Sequence, residues 1–85
     1  MAGTLHSREY KDVVASLVDA RKAAGLSQAA LAEILGRPPS YVAKVELCER
    51  RLDVVEFFVW LSAVSDEPIK FIAEVFEGMP RRLPH

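Results

Sequence analysis

The side chains of this sequence that could do chemistry are hydrogen-bond donors and cations, and most lie between Arg21 and Asp53. Ser40 and Lys44 are spaced i, i+4, and Leu47 follows at i+7, so on a helix the three share one stripe, with Tyr41 and Ala43 flanking it. Gln28 and Arg37 come before them, and Arg50 and Arg51 come just after. Such groups bind anions and hydrogen-bond to polar edges. A nucleophile with its base and orienting acid cannot be identified. His6 and His85 lie near the two ends of the chain and Cys48 is its single cysteine, so local motifs assemble no metal cluster. Gly3, Gly25, Gly36 and Gly78 are too far apart to form a phosphate loop. The sequence therefore predicts no enzyme and no cofactor.

The elements that must position these groups are two short helices joined by a tight turn, over residues 26–53. Ser27 sits where an N-cap belongs, and Leu26 and Leu31 have the spacing of a hydrophobic staple. Leu31, Ile34 and Leu35 make a helical stripe, and Gly36 ends the helix over 28–35. Pro38 and Pro39 cannot lie inside a helix, but a proline can open one. The next helix is predicted over 40–47, with Val42 and Val45 on its buried side. A helix, a short turn and a second helix is a unit that reads DNA.

The series Gln28, Ala32, Gly36, Val42, Val45, Glu46, followed by Glu49-Arg50-Arg51-Leu52-Asp53, resembles the Cro/repressor (XRE) family of helix-turn-helix proteins. The resemblance spans roughly residues 17–72. It implies that the second helix enters the major groove and that Gln28 hydrogen-bonds a phosphate from the start of its helix. It also implies an ion pair between Arg21 and Glu46. Arg21 falls on or beside the apolar stripe of the first helix, where a charge needs a partner. The family often carries amide side chains at the first reading positions, and here those positions are Pro39 and Ser40. Pro39 has no side-chain donor or acceptor, so bidentate adenine recognition is excluded there. Base reading would fall on Ser40 and Lys44, with Tyr41 offering an apolar or phosphate contact. Arg37, Arg50 and Arg51 are read as further DNA contacts, the last two as phosphate clamps. The plain alternative for each is a solvated or packing side chain. Cys48 stands where the family commonly has glycine. Either it is strained, or the helix runs slightly further before turning. Arg50 and Arg51 nearby could lower its pKa.

Length and charge bound the rest. The 85 residues suffice for one small domain, and no apolar run approaches the ~18–20 residues of a membrane span. The N-terminus lacks the apolar core of a signal peptide, and one cysteine suits a reducing cytoplasm. Net charge is −1, with residues 1–53 at +1 and 54–85 at −2. DNA binders often carry a basic excess, so a DNA face here needs local clustering of cations, and affinity per monomer should be weak.

The fold class expected is all-α, five helices. The domain covers 8–77, between flexible tails at 1–7 and 78–85. The first helix is predicted over 8–24, with Tyr10, Val13, Val14 and Leu17 on its inner stripe and Gly25 stopping it. The fourth begins after Asp53, with Glu56 completing a capping-box pattern, and its core stripe is read as Leu52, Val55, Phe58, Leu61 and Val64, broadened by Phe57 and Trp60. The fifth, over about 68–77, carries Ile69, Phe71, Ile72, Val75 and Phe76, more than one face of so short a helix can bury. We read Trp60, Ile69, Ile72, Val75 and Phe76 as a two-fold dimer interface. The function implied is a homodimeric, cytoplasmic repressor on a palindromic operator in double-stranded DNA. The alternative is an antitoxin or adaptor that uses the same fold to bind a protein partner such as a toxin or polymerase.

Overall fold

Three helices of this chain start in the same way, on a short polar side chain that satisfies a backbone N–H of the first turn. Ser7 Oγ accepts from the Tyr10 amide at 3.1 Å, Ser27 Oγ from Ala30 at 3.0 Å, and Asp53 Oδ1 from Glu56 at 2.7 Å. A computed structural model describes residues 7–83, and these caps open α1 (Arg8–Ala23), α2 (Gln28–Leu35) and α4 (Val54–Val64). The other two helices, α3 (Pro39–Glu46) and α5 (Pro68–Glu77), open instead on proline at their first position. The described residues contain no strand. Residue 7, placed in the N-terminal tail by the sequence, is thus a cap; residues 1–6 and 84–85 of the two tails lie outside the described residues. Met79 through Leu83 share an open groove with Tyr10 and Val13 of α1.

The ends of α1, α2 and α3 are also alike. After each, two backbone amides reach back: Gly25 and Leu26 to Lys22 and Arg21, Gly36 and Arg37 to Glu33 and Ala32, Cys48 and Glu49 to Val45 and Lys44. This closure requires a left-handed residue at the turn. Gly25 (φ 75°) and Gly36 (φ 70°) adopt it freely, and Cys48 adopts it at φ 59°. Of the two alternatives for Cys48, strain is therefore the one realised. α3 starts one residue earlier than expected, at Pro39, and stops one earlier, at Glu46.

The core is built where α2, α3 and α4 meet, with α1 across them. Leu17, Leu31, Ala32, Val42, Val45, Trp60, Leu61 and Val64 are buried together. Ala32 is 1% exposed, and α2 packs more extensively on α3 than any other pair of helices does, which a larger side chain at that position would oppose. Tyr10 anchors the far end of α1 by accepting the Leu52 amide on its hydroxyl at 3.1 Å.

Three readings from the sequence need correction. In α4 the inward face is Phe57, Trp60, Leu61 and Val64, whereas Val55 and Phe58 are 66% and 50% exposed. The helix is apolar around most of its girth, so spacing alone offers two phases, and packing against α2 and α1 selects the one that turns 57, 60, 61 and 64 inward. The second correction follows from the first. Trp60 is 1% exposed and packs on Tyr41, so it belongs to the core and not to a subunit seam. Its indole N–H has no partner among the described residues, so the ring is held by packing alone. The third is Ile34 of α2, which falls on the apolar stripe by spacing and is likewise exposed. α5 lies at the edge of the bundle and buries no residue fully; Phe71 and Ile72 rest on the core, and Ile69 and Phe76 are 77% and 74% exposed.

Candidate nucleic-acid interface

The candidate interface is α3 and what holds it. Glu46, the last residue of α3, is the centre of a polar cluster. Arg21 of α1 donates from Nε to Glu46 Oε2 at 2.6 Å and from Nη2 to Oε1 at 3.1 Å, a two-pronged ion pair. Both side chains are about nine-tenths buried, at 10% and 8% exposure. Arg21 Nη1 also donates to the Leu26 carbonyl at 2.8 Å, fixing the turn between α1 and α2. Gln28 adds a third donor: its Nε2 reaches Glu46 Oε1 at 2.7 Å. One carboxylate thus ties the first residue of α2 and the end of α1 to the end of α3. A buried charge with this many donors is satisfied, and removal of the carboxylate would leave the guanidinium stranded.

With its inner side fixed, α3 presents its other side to solvent. Val42 and Val45 are fully buried. Pro39, Ser40 and Lys44 are exposed, and Leu47 is 68% exposed. The stripe read from the sequence is therefore an open surface. The Arg37 side chain is exposed and, among the described residues, donates to the neighbouring Gly36 carbonyl, at 3.3 Å. Among the described residues neither Lys44 nor Arg51 pairs with an acid. Arg37, Lys44 and Arg51 are thus the cations left open near this stripe.

Tyr41 and Arg50 are placed differently. Tyr41 is half-buried, with its ring centroid 5.8 Å from that of Trp60. The Arg50 guanidinium lies 4.8 Å above the Tyr41 ring centroid. It is also clasped by Glu56 of α4, from Nη1 to Oε1 at 3.1 Å and from Nη2 to Oε2 at 2.9 Å. Glu56 Oε1 also accepts the Asp53 amide at 3.0 Å, the return half of the capping box. The Arg50 hydrogen bonds, and then the Asp53 amide, hold the Glu56 carboxyl below its ordinary range. Burial, and then the Glu56 carboxylate, push the Tyr41 hydroxyl up.

Sequence reasoning had Gln28 and Arg50 without internal partners, and it had Glu56 only as half of a cap. The bonds from Gln28 to Glu46 and from Arg50 to Glu56 join different elements, at separations no local rule covers. Cys48 is buried, and burial pushes its thiol up against a smaller opposing effect of Lys11. The lowering suggested by nearby arginines is not what the fold produces. Among the described residues no group of three or more His, Cys, Asp or Glu is placed to hold a metal, and no helix is long and apolar enough to cross a membrane.

No protein-family model matches the chain, and no curated protein matches it. Among solved structures, its fold is similar to an XRE-family like protein from Pseudomonas syringae pv. tomato str. DC3000. The two share 39% sequence identity over 88% of this chain and 92% of that one, with a TM-score of 0.80.

Proposed function

This chain belongs to the XRE family of helix-turn-helix proteins, and we propose that it is a sequence-specific DNA-binding regulator of transcription, a repressor that works as a homodimer on a palindromic operator. The observation that carries this reading is the open stripe of Ser40, Lys44 and Leu47 on a helix whose opposite side is locked by Val42, Val45 and Glu46. A rigid helix with an unoccupied polar stripe can enter the major groove as one body.

In this mechanism Lys44 donates to a guanine edge and Ser40 to either base of a pair. Leu47 contacts a thymine methyl, and Tyr41 lines the groove beside them. Arg37 and Arg51 meet phosphates. Gln28 keeps one amide hydrogen beyond the one given to Glu46, and that hydrogen reaches a phosphate at the N-terminus of α2, where backbone amides and the helix dipole favour an anion. Three open cations per chain make a weak monomer, so two copies must bind together. Ile69 and Phe76, spaced i, i+7 on α5, form the seam with Ile72 and Val75 beside them. To read a palindromic operator such a dimer would have to present its two α3 helices about 34 Å apart, one turn of DNA. Binding would exclude polymerase from a promoter within the cytoplasm.

Footprinting on the DNA upstream of the protein's own gene tests this reading. Two protected half-sites about one helical turn apart are expected. Uniform cleavage at every protein concentration would count against it.

One observation favours the alternative of a protein-binding module. Val54, Val55, Phe58 and Val59 leave one side of α4 50–66% exposed, and the repressor mechanism does not use them. A partner such as a toxin or polymerase would cover that side, and an antitoxin that represses its own operon would combine both roles.

A further inference from the structure

We infer that Glu56 is a positioning residue for DNA reading: it draws Arg50 back across the Tyr41 ring, so that Arg50 fixes Tyr41 beside the reading stripe and does not itself contact phosphate. This rests on the DNA-binding reading above and assigns a role within it.

The geometry engages Arg50 from several directions. Nη1 donates to the Arg51 carbonyl at 2.8 Å and to Glu56 Oε1 at 3.1 Å, while Nη2 donates to Oε2 at 2.9 Å. The guanidinium plane is also occupied, 4.8 Å from the Tyr41 ring centroid. A lone ion pair between side chains 43% and 21% exposed would hold little. Here the carboxylate is anchored first, because the Asp53 amide fixes Glu56 at the third position of α4. The guanidinium then closes on a preset target. Three of its five N–H groups are so engaged, and moving off to a phosphate would break both carboxylate bonds and the ring contact. It would also leave Glu56 a carboxylate without its cation beside the phosphate.

Two consequences follow for recognition. First, Arg50 and Glu56 together are neutral, so they displace no counterions from DNA. Second, Tyr41 follows Ser40 directly and precedes Lys44 by three residues on α3. Its ring is bounded by Arg50 and by buried Trp60, at 5.8 Å between centroids. A ring held in this way presents one fixed contour to the groove, and so discriminates among sequences better than a ring free to turn.

The test is a salt series of DNA binding by wild type, Glu56→Gln and the charge-conserving double variant Arg50→Gln/Glu56→Gln. Glutamine at the third helical position keeps the capping box, so α4 should remain intact. The double variant should keep the wild-type slope of log affinity against log salt and lose several-fold discrimination between operator and scrambled DNA. Glu56→Gln alone should steepen the slope by about 0.9, the increment for one released cation. A double variant whose slope falls by about 0.9 would make Arg50 a phosphate contact and overturn the inference. Unchanged discrimination in both variants would overturn it too. Failure of wild type to bind any DNA is a different result, since it removes the DNA-binding reading and this role with it. The clasp is judged without DNA by proton NMR. Ring-current-shifted Arg50 side-chain protons are expected in wild type and should relax toward free values in Glu56→Gln; unshifted protons in wild type would refute the clasp.

Discussion

Gln28 donates to the same oxygen of Glu46 that Arg21 reaches, at 2.7 Å and 3.1 Å respectively. The first side chain of α2 is therefore coupled to the last of α3, and one carboxylate adds a polar tie to the apolar packing between the two helices. Glu46→Ala should lower stability by about 3–5 kcal/mol, because it leaves Arg21 charged and buried. Urea unfolding followed by circular dichroism measures this, and a variant with the wild-type midpoint would show that the cluster holds nothing.

Cys48 performs at the end of α3 the turn that Gly25 and Gly36 perform at the ends of α1 and α2. A side chain at positive φ costs about 1–2 kcal/mol. Replacing Cys48 by alanine keeps that strain, and replacing it by glycine removes it. Cys48→Gly should therefore be more stable than Cys48→Ala by about 1 kcal/mol, the reverse of their order inside a helix. Thermal melts of the two variants side by side settle the sign, and alanine ranking above glycine would mean the turn is not left-handed in solution.

What could be read from the sequence was local. The caps at Ser27 and Asp53, the stop at Gly36 and the proline start of α5 each depend on a few adjacent residues, and α2, α4 and α5 lie where those signals put them, while α3 is shifted by one residue. The face of α4 was misread because VVEFFVWLSAV offers apolar residues in nearly every direction, and only contact with α2 and α1 selects among them. Trp60 was assigned to a seam for the same reason: an aromatic in a broadly apolar helix carries no sign of which neighbour covers it. The exposed stripe of α3 was legible because its inner residues, Val42 and Val45, are unambiguous. The partners of Gln28 and Arg50 were not, because their acceptors are 18 and 6 residues away on other elements.

α5 rests on the core through Phe71 and Ile72 while Ile69 and Phe76 stay open. If those two form the dimer seam, Ile69→Lys and Phe76→Lys should each yield monomers by sedimentation equilibrium, where wild type sediments at twice the chain mass. The melting of the isolated fold should change little, since surface substitutions commonly shift stability by less than about 0.5 kcal/mol. Variants that stay dimeric would place the seam elsewhere, with the open side of α4 as the next surface to probe.

The most direct measurement is fluorescence anisotropy on DNA from upstream of the protein's own gene and on a scrambled duplex, over a series of salt concentrations, for wild type and Lys44→Ala. Preferred binding to the upstream DNA is expected, with a slope of several units on log–log axes and the preference lost in Lys44→Ala. Equal affinity for both duplexes, or no binding at low salt, would contradict sequence-specific reading by α3.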